Sequence, residues 1–149
     1  MASEFPKITE VEKDTSIKIE ASKLKKMIKQ TIFAVSLREN KPVLTGALFE
    51  IDGPLFTMVA SDGYRLAIRN EQIEDEGKAV TAIVPGKTLN ELLKIIKDDD
   101  TIITAYFTDK HVLFEFENFT VTSRLRDGEY IKYKSAIPSE YNIEIKAEV

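Results

Sequence analysis

Mostly hydrophobic side chains recur at helical spacing in two separate stretches of the chain. The first stripe consists of Leu24, Met27, Ile28, Thr31, Ile32 and Val35. The second stripe consists of Leu89, Leu92, Leu93 and Ile96. Each follows the period of an amphipathic α-helix, and Ser22 lies where an N-cap would precede the first one. We therefore predict two helices that each bury one face.

Eight further stretches have the alternation or composition of β-strands. These stretches are residues 15–20, 43–51, 55–61, 64–70, 79–84, 101–107, 111–117 and 119–125. In chain order, one strand, one helix and three strands are followed by the same series again. This order predicts an α+β domain built from two βαβββ repeats, with two helices packed on antiparallel sheets.

The sequence Asp62-Gly63 separates two of the predicted strands and is typical of a tight hairpin turn. Gly63 can adopt a positive φ without steric cost, and Asp62 tolerates the left-handed region. Tyr64, Arg65 and Leu66 would then begin the return strand. This mixture of side chains is typical of a peptide-binding hot spot, although an ordinary hairpin tip with one exposed arginine fits the same pattern.

The two ends of the chain differ from the middle. Residues 1–14 are polar and have no hydrophobic period, which predicts a linker. Residues 15–138 contain all the elements above and form the predicted domain. Residues 142–147 repeat the pattern of residues 16–21 at the start of that domain. We therefore expect residues 139–149 to be a linker and the truncated first strand of a following domain, with an extra edge strand as the alternative.

Composition limits the classes of protein that remain. The chain has 149 residues, of which 43% are hydrophobic and 31% charged, as expected for one globular domain. It has no cysteine, which excludes disulfides and thiolate metal sites and fits a reducing cytosol. No apolar run reaches membrane-spanning length. The net charge of −4 argues against a uniformly basic nucleic-acid binder but leaves room for a local basic face.

Catalytic chemistry has little support in the sequence. His111 is the only histidine, and no partner lies at a spacing that suggests a metal centre or a nucleophile–base pair. Gly86-Lys87-Thr88 ends like a phosphate-binding loop, but Thr81 occupies the position of its first glycine. We expect no cofactor, no metal and no enzymatic activity, so a small hydrolase is the least favoured function.

Lysines lie opposite the apolar stripe on both predicted helices. Lys25, Lys26 and Lys29 are on the first helix, and Lys87 and Lys94 are on the second. Because the two halves are equivalent, these faces could lie side by side and hold a polyanion through salt-sensitive, sequence-independent contacts. A solvated helix face is the alternative interpretation.

Four segments of the chain form an ordered set of motifs. Two of them are residues 41–50, Lys-Pro-Val-Leu-Thr-Gly-Ala-Leu-Phe-Glu, and residues 59–67, Val-Ala-Ser-Asp-Gly-Tyr-Arg-Leu-Ala. The other two are residues 83–92 and 123–130. In this order the segments resemble the middle domain of the bacterial DNA polymerase III beta subunits, the replicative sliding clamps. Each motif is weak alone, but the ordered set covers nearly the whole predicted domain.

The resemblance implies a ring-shaped homodimer that encircles duplex DNA in the cytoplasm, at the nucleoid, without catalytic activity. Its helices would line the central hole, and a loop near residues 38–43 would reach toward the DNA. Lys87 and Lys94 match positions of the family that face DNA. Together with the helix lysines and the loop cations, the predicted DNA-facing residues are Lys25, Lys26, Lys29, Arg38, Lys41, Lys87 and Lys94. A lone domain lacks the interfaces of a closed ring, so we expect this chain to be monomeric or weakly associated and to bind DNA poorly.

The resemblance also implies a hydrophobic pocket for short peptide motifs of the polymerase III alpha subunit, the clamp loader and other clamp-binding proteins. Its residues by matched position are Leu44, Ser61, Gly63, Tyr64, Arg65, Leu66, Ile131, Ser135 and Ala136. The last three depart from the family pattern, which commonly has an aromatic-Pro-Asp-Tyr run followed by an arginine. The alternative to a clamp is a free-standing α+β adaptor that uses the tip at Tyr64–Leu66 and never contacts DNA.

Overall fold

The computed structural model describes residues 15–74 and 79–148. The predicted linker at residues 1–14 lies outside the described residues. Strands and helices follow the order β1 Thr15–Glu20, α1 Ala21–Thr31, β2 Gly46–Asp52, β3 Leu55–Ser61, β4 Leu66–Gln72, β5 Val80–Pro85, α2 Gly86–Ile95, β6 Ile102–Phe107, β7 His111–Glu115, β8 Thr120–Arg124 and α3 Tyr133–Ala136. Short 3-10 turns span Ile32–Ala34 and Pro42–Thr45. The predicted double βαβββ order is confirmed.

Two four-stranded antiparallel sheets form the frame of the domain. Their strand orders are β4-β3-β2-β5 and β1-β6-β7-β8. Each half of the chain therefore contributes its first strand to the sheet that contains the other half's three-strand meander. In this exchange Ile17 of β1 pairs with Ala105 of β6, and Phe49 of β2 pairs with Ala82 of β5. The two repeats consequently fold as one unit with one shared core.

The two helices lie in contact with each other and with the sheets. Their apolar stripes are buried, as Leu24 and Leu92 illustrate. At the centre, the ring of Phe49 lies 5.1 Å from that of Phe56 and 6.4 Å from that of Phe107, measured between ring centres. Phe107 belongs to the other sheet, so Phe49 joins both sheets across the core. The predicted packing of two helices on antiparallel sheets is confirmed.

The prediction of Ser22 as an N-cap is wrong. Glu20 occupies the cap position of α1 in an extended conformation, and its side chain makes no capping hydrogen bond. Instead, the amides of Ala21 and Ser22 donate to the carbonyl oxygens of Thr101 and Asp99, at 2.8 and 3.0 Å. Two of the free N–H groups of the first turn are thus satisfied by the segment that precedes β6 rather than by a local side chain.

Several predicted strand boundaries also differ from the structure, most of them by one or two residues. Residues 43–45 form part of a 3-10 turn that begins at Pro42, whose fixed φ favours a turn over a strand, and β2 starts only at Gly46. A Cβ at Gly46 would lie 2.6 Å from the carbonyl oxygen of Val84, so β2 can approach β5 here only without a side chain.

The return strand begins at Leu66 rather than at Tyr64. Residues 142–148 are exposed without strand structure, and the predicted domain division stays a prediction.

Replacement of Phe49 by alanine should lower the free energy of unfolding by about 3–5 kcal/mol, because it opens a cavity between the two sheets. Equilibrium unfolding in urea measures this change. The matched control is Phe119→Ala, since Phe119 is 44% exposed and stacks on Phe116 at the surface rather than in the core. The control should lose less than about 1.5 kcal/mol. Equal losses in the two variants would contradict a core centred on Phe49.

Candidate functional site

The tip between β3 and β4 is a four-residue loop rather than the predicted two-residue turn. Ser61 pairs with Leu66 across the ladder, so Asp62 to Arg65 all lie in the loop. The Oδ1 atom of Asp62 accepts the backbone amides of Tyr64 at 2.9 Å and Arg65 at 3.1 Å. Among the described residues positive φ values occur only at glycines, so Gly63 alone supplies the left-handed conformation in this loop and Asp62 does not adopt it. Asp62 stabilises the four-residue loop by accepting these two amide hydrogen bonds. A two-residue turn would not need them.

Arg65 is held on two sides. Its Nε atom donates to Oδ2 of Asp62 at 3.0 Å, and its guanidinium carbon lies 5.5 Å from the centre of the Phe33 ring. The amides of Tyr64 and Arg65, followed by the Arg65 guanidinium, lower the pKa of Asp62 below its ordinary value. The carboxylate therefore stays charged and keeps the loop ordered at neutral pH.

A surface cavity of about 310 Å³ lies beside this loop. From the predicted peptide-binding set it is lined by Leu44, Tyr64 and Arg65, and from the predicted DNA-facing set by Arg38 and Lys41. Tyr64 is 94% exposed, whereas Leu44 is only 2% exposed and forms the floor. The structure thus brings together members of two sets that the sequence analysis treated as separate sites.

The loop that carries Arg38 and Lys41 is closed at its base. The amide of Ser36 donates to the carbonyl oxygen of Leu44 at 2.7 Å, and the hydroxyl of Ser36 accepts the amide of Arg38 at 3.1 Å. These bonds fix the start of the loop next to the cavity floor. Both cationic side chains of this loop remain exposed.

A second hydrophobic cluster lies on the outer face of the β4-β3-β2-β5 sheet. Its members are Val43, Leu44, Leu48, Val59, Leu66, Ile83, Tyr130 and Tyr133. Leu44 and Leu66 therefore belong to one hydrophobic cluster, which also contains two tyrosines of the same chain. The segment that begins at Tyr130 thus contributes to this cluster but does not line the cavity beside the tip.

One polar contact attaches this segment to the sheet. The hydroxyl of Tyr133 donates to the Glu50 carboxylate, whereas the buried hydroxyl of Tyr130 has no hydrogen-bond partner among the described residues. Burial raises the pKa of Tyr130 to about 12, and burial with the nearby Glu50 raises the pKa of Tyr133 to about 12. Both phenols remain neutral at physiological pH, and the segment stays attached.

The remaining predicted pocket residues lie around these contacts. Ser61 is buried, and its hydroxyl accepts the amide of Gly63 at 3.1 Å. Ile131 is partly exposed, whereas Ser135 and Ala136 lie in the exposed short helix α3. The hydroxyl of Ser135 donates to the carbonyl oxygen of Lys132 at 2.7 Å, so it stabilises its own turn.

The predicted DNA-facing lysines lie on the sides of α1 and α2 away from their buried stripes. Lys26, Lys29 and Lys87 are exposed and form no ion pair within the described parts of the chain, while Lys25 is half-buried. Lys94 is exposed but pairs with Glu91 at 2.7 Å, a carboxylate that the sequence analysis overlooked. The net positive charge of the α2 face is therefore smaller than its lysines alone suggest.

Three features of the site escaped the sequence analysis: Phe33 beneath Arg65, Glu50 beneath Tyr133, and the hydrogen bonds accepted by Asp62. The last had a recognisable signal, because an aspartate before a glycine often accepts the amides that follow it. The other two depend on contacts between distant segments.

In the residues that the structure describes, no group of three or more acidic, histidine or cysteine side chains could hold a metal ion. Nor does any helix there have the length and apolar character needed to cross a membrane.

The pKa of the Asp62 carboxyl should lie below its ordinary value of 3.8. Since the pKa is lowered in the folded state, the order that Asp62 gives to the loop is complete above the unfolded pKa and is lost as pH falls through the folded value. A carboxyl-detected NMR titration measures the midpoint. Arg65→Ala should leave most of the depression, because the backbone amides are its larger cause. A full return to 3.8 in that variant would contradict this assignment.

The comparison with known families gives one match that covers most of the chain. Residues 18–132 match the family model described as DNA polymerase III beta subunit, central domain. The "Beta sliding clamp" of Halalkalibacterium halodurans is 39% identical over 140 residues, which are 92% of this chain and 37% of the relative. The chain thus spans less than two fifths of the length of the curated relatives that it matches.

Solved structures agree with the sequence match. The DNA polymerase sliding clamp of Bacillus subtilis superposes with a TM-score of 0.89 at 36% identity, covering 93% of this chain and 37% of that one. The sliding clamp of Pseudomonas aeruginosa bound to griselimycin gives 0.86 at 29% identity, covering 91% and 38%. The resemblance and the clamp-domain fold predicted from the sequence are confirmed. This chain belongs to the DNA polymerase III beta subunit family and corresponds to the central domain of its members.

Proposed function

We propose that this chain acts as a sliding-clamp domain, a non-catalytic part of the replication machinery that keeps a polymerase on duplex DNA. The observation that carries the proposal is the clamp-domain fold, in which α1 and α2 lie in contact and carry exposed lysines away from their buried stripes. The whole protein would be a ring-shaped homodimer in the cytoplasm, at the nucleoid. The adaptor without DNA contact leaves this lysine pattern unexplained.

The proposed DNA surface consists of Lys25, Lys26, Lys29, Arg38, Lys41, Lys87 and Lys94. Lysine suits a ring that must move along DNA, because a hydrated ammonium group attracts phosphates without reading base edges. Contacts of this kind release counterions and weaken steeply with salt. A ring retains DNA by enclosing it, so weak contacts are sufficient.

The proposed peptide surface is the cavity beside the tip together with the Leu44–Leu66 cluster. Leu44 supplies an apolar floor, Tyr64 an exposed aromatic ring and Arg65 a fixed cation. Peptide motifs that place a few aliphatic or aromatic residues on this surface would gain most of their binding energy there. Such motifs would come from the polymerase III alpha subunit, the clamp loader and other clamp-binding proteins. The related Pseudomonas aeruginosa clamp has been solved bound to griselimycin. We propose that griselimycin would occupy this surface on the present chain, and it serves as the probe below.

Reversal of two lysine charges should weaken DNA binding more than the change in net charge alone explains. The variant Lys26→Glu/Lys87→Glu removes one exposed lysine from each helix, and the control Lys110→Glu/Lys132→Glu changes net charge equally elsewhere. Fluorescence anisotropy with a short duplex at low salt measures both. We expect the slope of log affinity against log salt to fall by about 2 in the first variant and far less in the control. An equal fall in slope in the helix variant and in the control would favour the adaptor without DNA contact.

Removal of the Tyr64 ring should weaken griselimycin binding about fivefold or more, because an exposed aromatic at a binding surface contributes strongly. Isothermal titration calorimetry on Tyr64→Ala measures the change. Tyr141→Ala is the matched control, since Tyr141 is also mostly exposed, at 69%, and lies in the C-terminal segment. Absence of griselimycin binding by the unmodified chain, or equal effects of the two substitutions, would count against the proposed peptide surface.

A further inference from the structure

Phe33 is a large aromatic residue that the core does not use. It is 56% exposed and lies in the 3-10 turn Ile32–Ala34, directly after α1. Its neighbours in the chain hold it firmly, because Thr31 and Ala34 are fully buried on either side. The hydroxyl of Thr31 also donates to the carbonyl oxygen of Met27 at 2.8 Å. The Phe33 backbone is therefore fixed while its ring remains at the surface.

The Phe33 ring contacts the guanidinium of Arg65. The guanidinium carbon lies 5.5 Å from the ring centre, within the range of a cation–π interaction. On its other side, Nε of Arg65 donates to Asp62 at 3.0 Å. An unrestrained arginine side chain samples many rotamers, and binding a ligand through it would require ordering it. The Phe33 ring and the Asp62 carboxylate together hold the Arg65 side chain in one conformation before a ligand binds.

In this conformation part of the Arg65 guanidinium remains free to bind a ligand. Only Nε of Arg65 is engaged with Asp62, and its two terminal nitrogens have no hydrogen-bond partner among the residues that the structure describes. The Arg65 side chain borders the cavity whose floor is Leu44 and whose rim includes Tyr64. Phe33 itself does not line that cavity, whereas Arg65, which its ring contacts, does.

We propose that Phe33 is a positioning residue for the peptide surface. Its ring holds the Arg65 guanidinium at the edge of the cavity, with the terminal nitrogens available to carbonyl or carboxylate groups of a bound peptide. The ligand part of this inference rests on the proposed function, whereas the contact between Phe33 and Arg65 does not. Because Phe33 directly follows α1, the same contact joins the lysine-bearing helix to the peptide surface.

The variant Phe33→Leu tests the proposal, with Phe33→Tyr as the conservative variant that retains an aromatic face. Phe119→Leu serves as the matched control, because Phe119 is another partly exposed phenylalanine and lies near the start of α1 rather than its end. NMR spectra of the Arg65 side chain report the ring directly, since protons above an aromatic face are shifted upfield. Thermal unfolding establishes that the variants remain folded.

We expect Phe33→Leu to abolish the upfield shift of the Arg65 side-chain protons and to weaken griselimycin binding about two- to fivefold. Phe33→Tyr should retain both properties, and Phe119→Leu should change neither. In an Arg65→Ala background, Phe33→Leu should have no further effect on griselimycin binding, because the group that it positions is absent.

Two results would overturn the proposal. One is an Arg65 spectrum that Phe33→Leu leaves unchanged. The other is the same loss of griselimycin affinity from Phe33→Leu whether or not Arg65 is present, which would indicate a role independent of the arginine. Failure of the unmodified chain to bind griselimycin would contradict the proposed peptide surface instead, and the Arg65 spectra would then decide whether Phe33 positions the guanidinium.

Discussion

The exchange of first strands between the two halves is the constraint on which the rest of this domain depends. Because β1 completes the sheet of the second half and β5 completes that of the first, neither half can bury its own helix alone. Phe49 closes the arrangement by packing against rings from both sheets. Burial of this shared hydrophobic core, rather than any single polar contact, brings α1 and α2 into contact and leaves their lysines on the exposed sides.

The tip follows from that frame through local hydrogen bonding. β3 ends at Ser61 and β4 begins at Leu66, so four residues must turn the chain, and Asp62 satisfies the amides that the turn would otherwise leave free. The same carboxylate holds Arg65, while Phe33 supports it from the end of α1. The peptide surface therefore consists of a loop fixed from both the sheet and the helix, which favours binding with little reordering.

The sequence predicted the element order, both helices and the fold class, because period-two and period-3.6 patterns report directly which residues the core must bury. It misplaced the start of α1, since backbone carbonyls of Thr101 and Asp99 replaced the expected Ser22 cap. It also missed contacts between segments far apart in the chain. Nothing in the local pattern indicates that Tyr133 meets Glu50 or that Phe33 lies beneath Arg65, because these pairs are created only when the sheets close.

The hydrogen bond between Ser36 and Leu44 has a practical consequence for work on this domain. This bond holds the two ends of an exposed loop next to each other. Residues can therefore be inserted between Ser36 and Leu44 while the ends stay in place. Lengthening a loop whose ends are already fixed adds only a small, slowly growing entropic penalty. This loop is accordingly a suitable place to graft a fluorophore-bearing or affinity-tag segment next to the cavity without disturbing its floor.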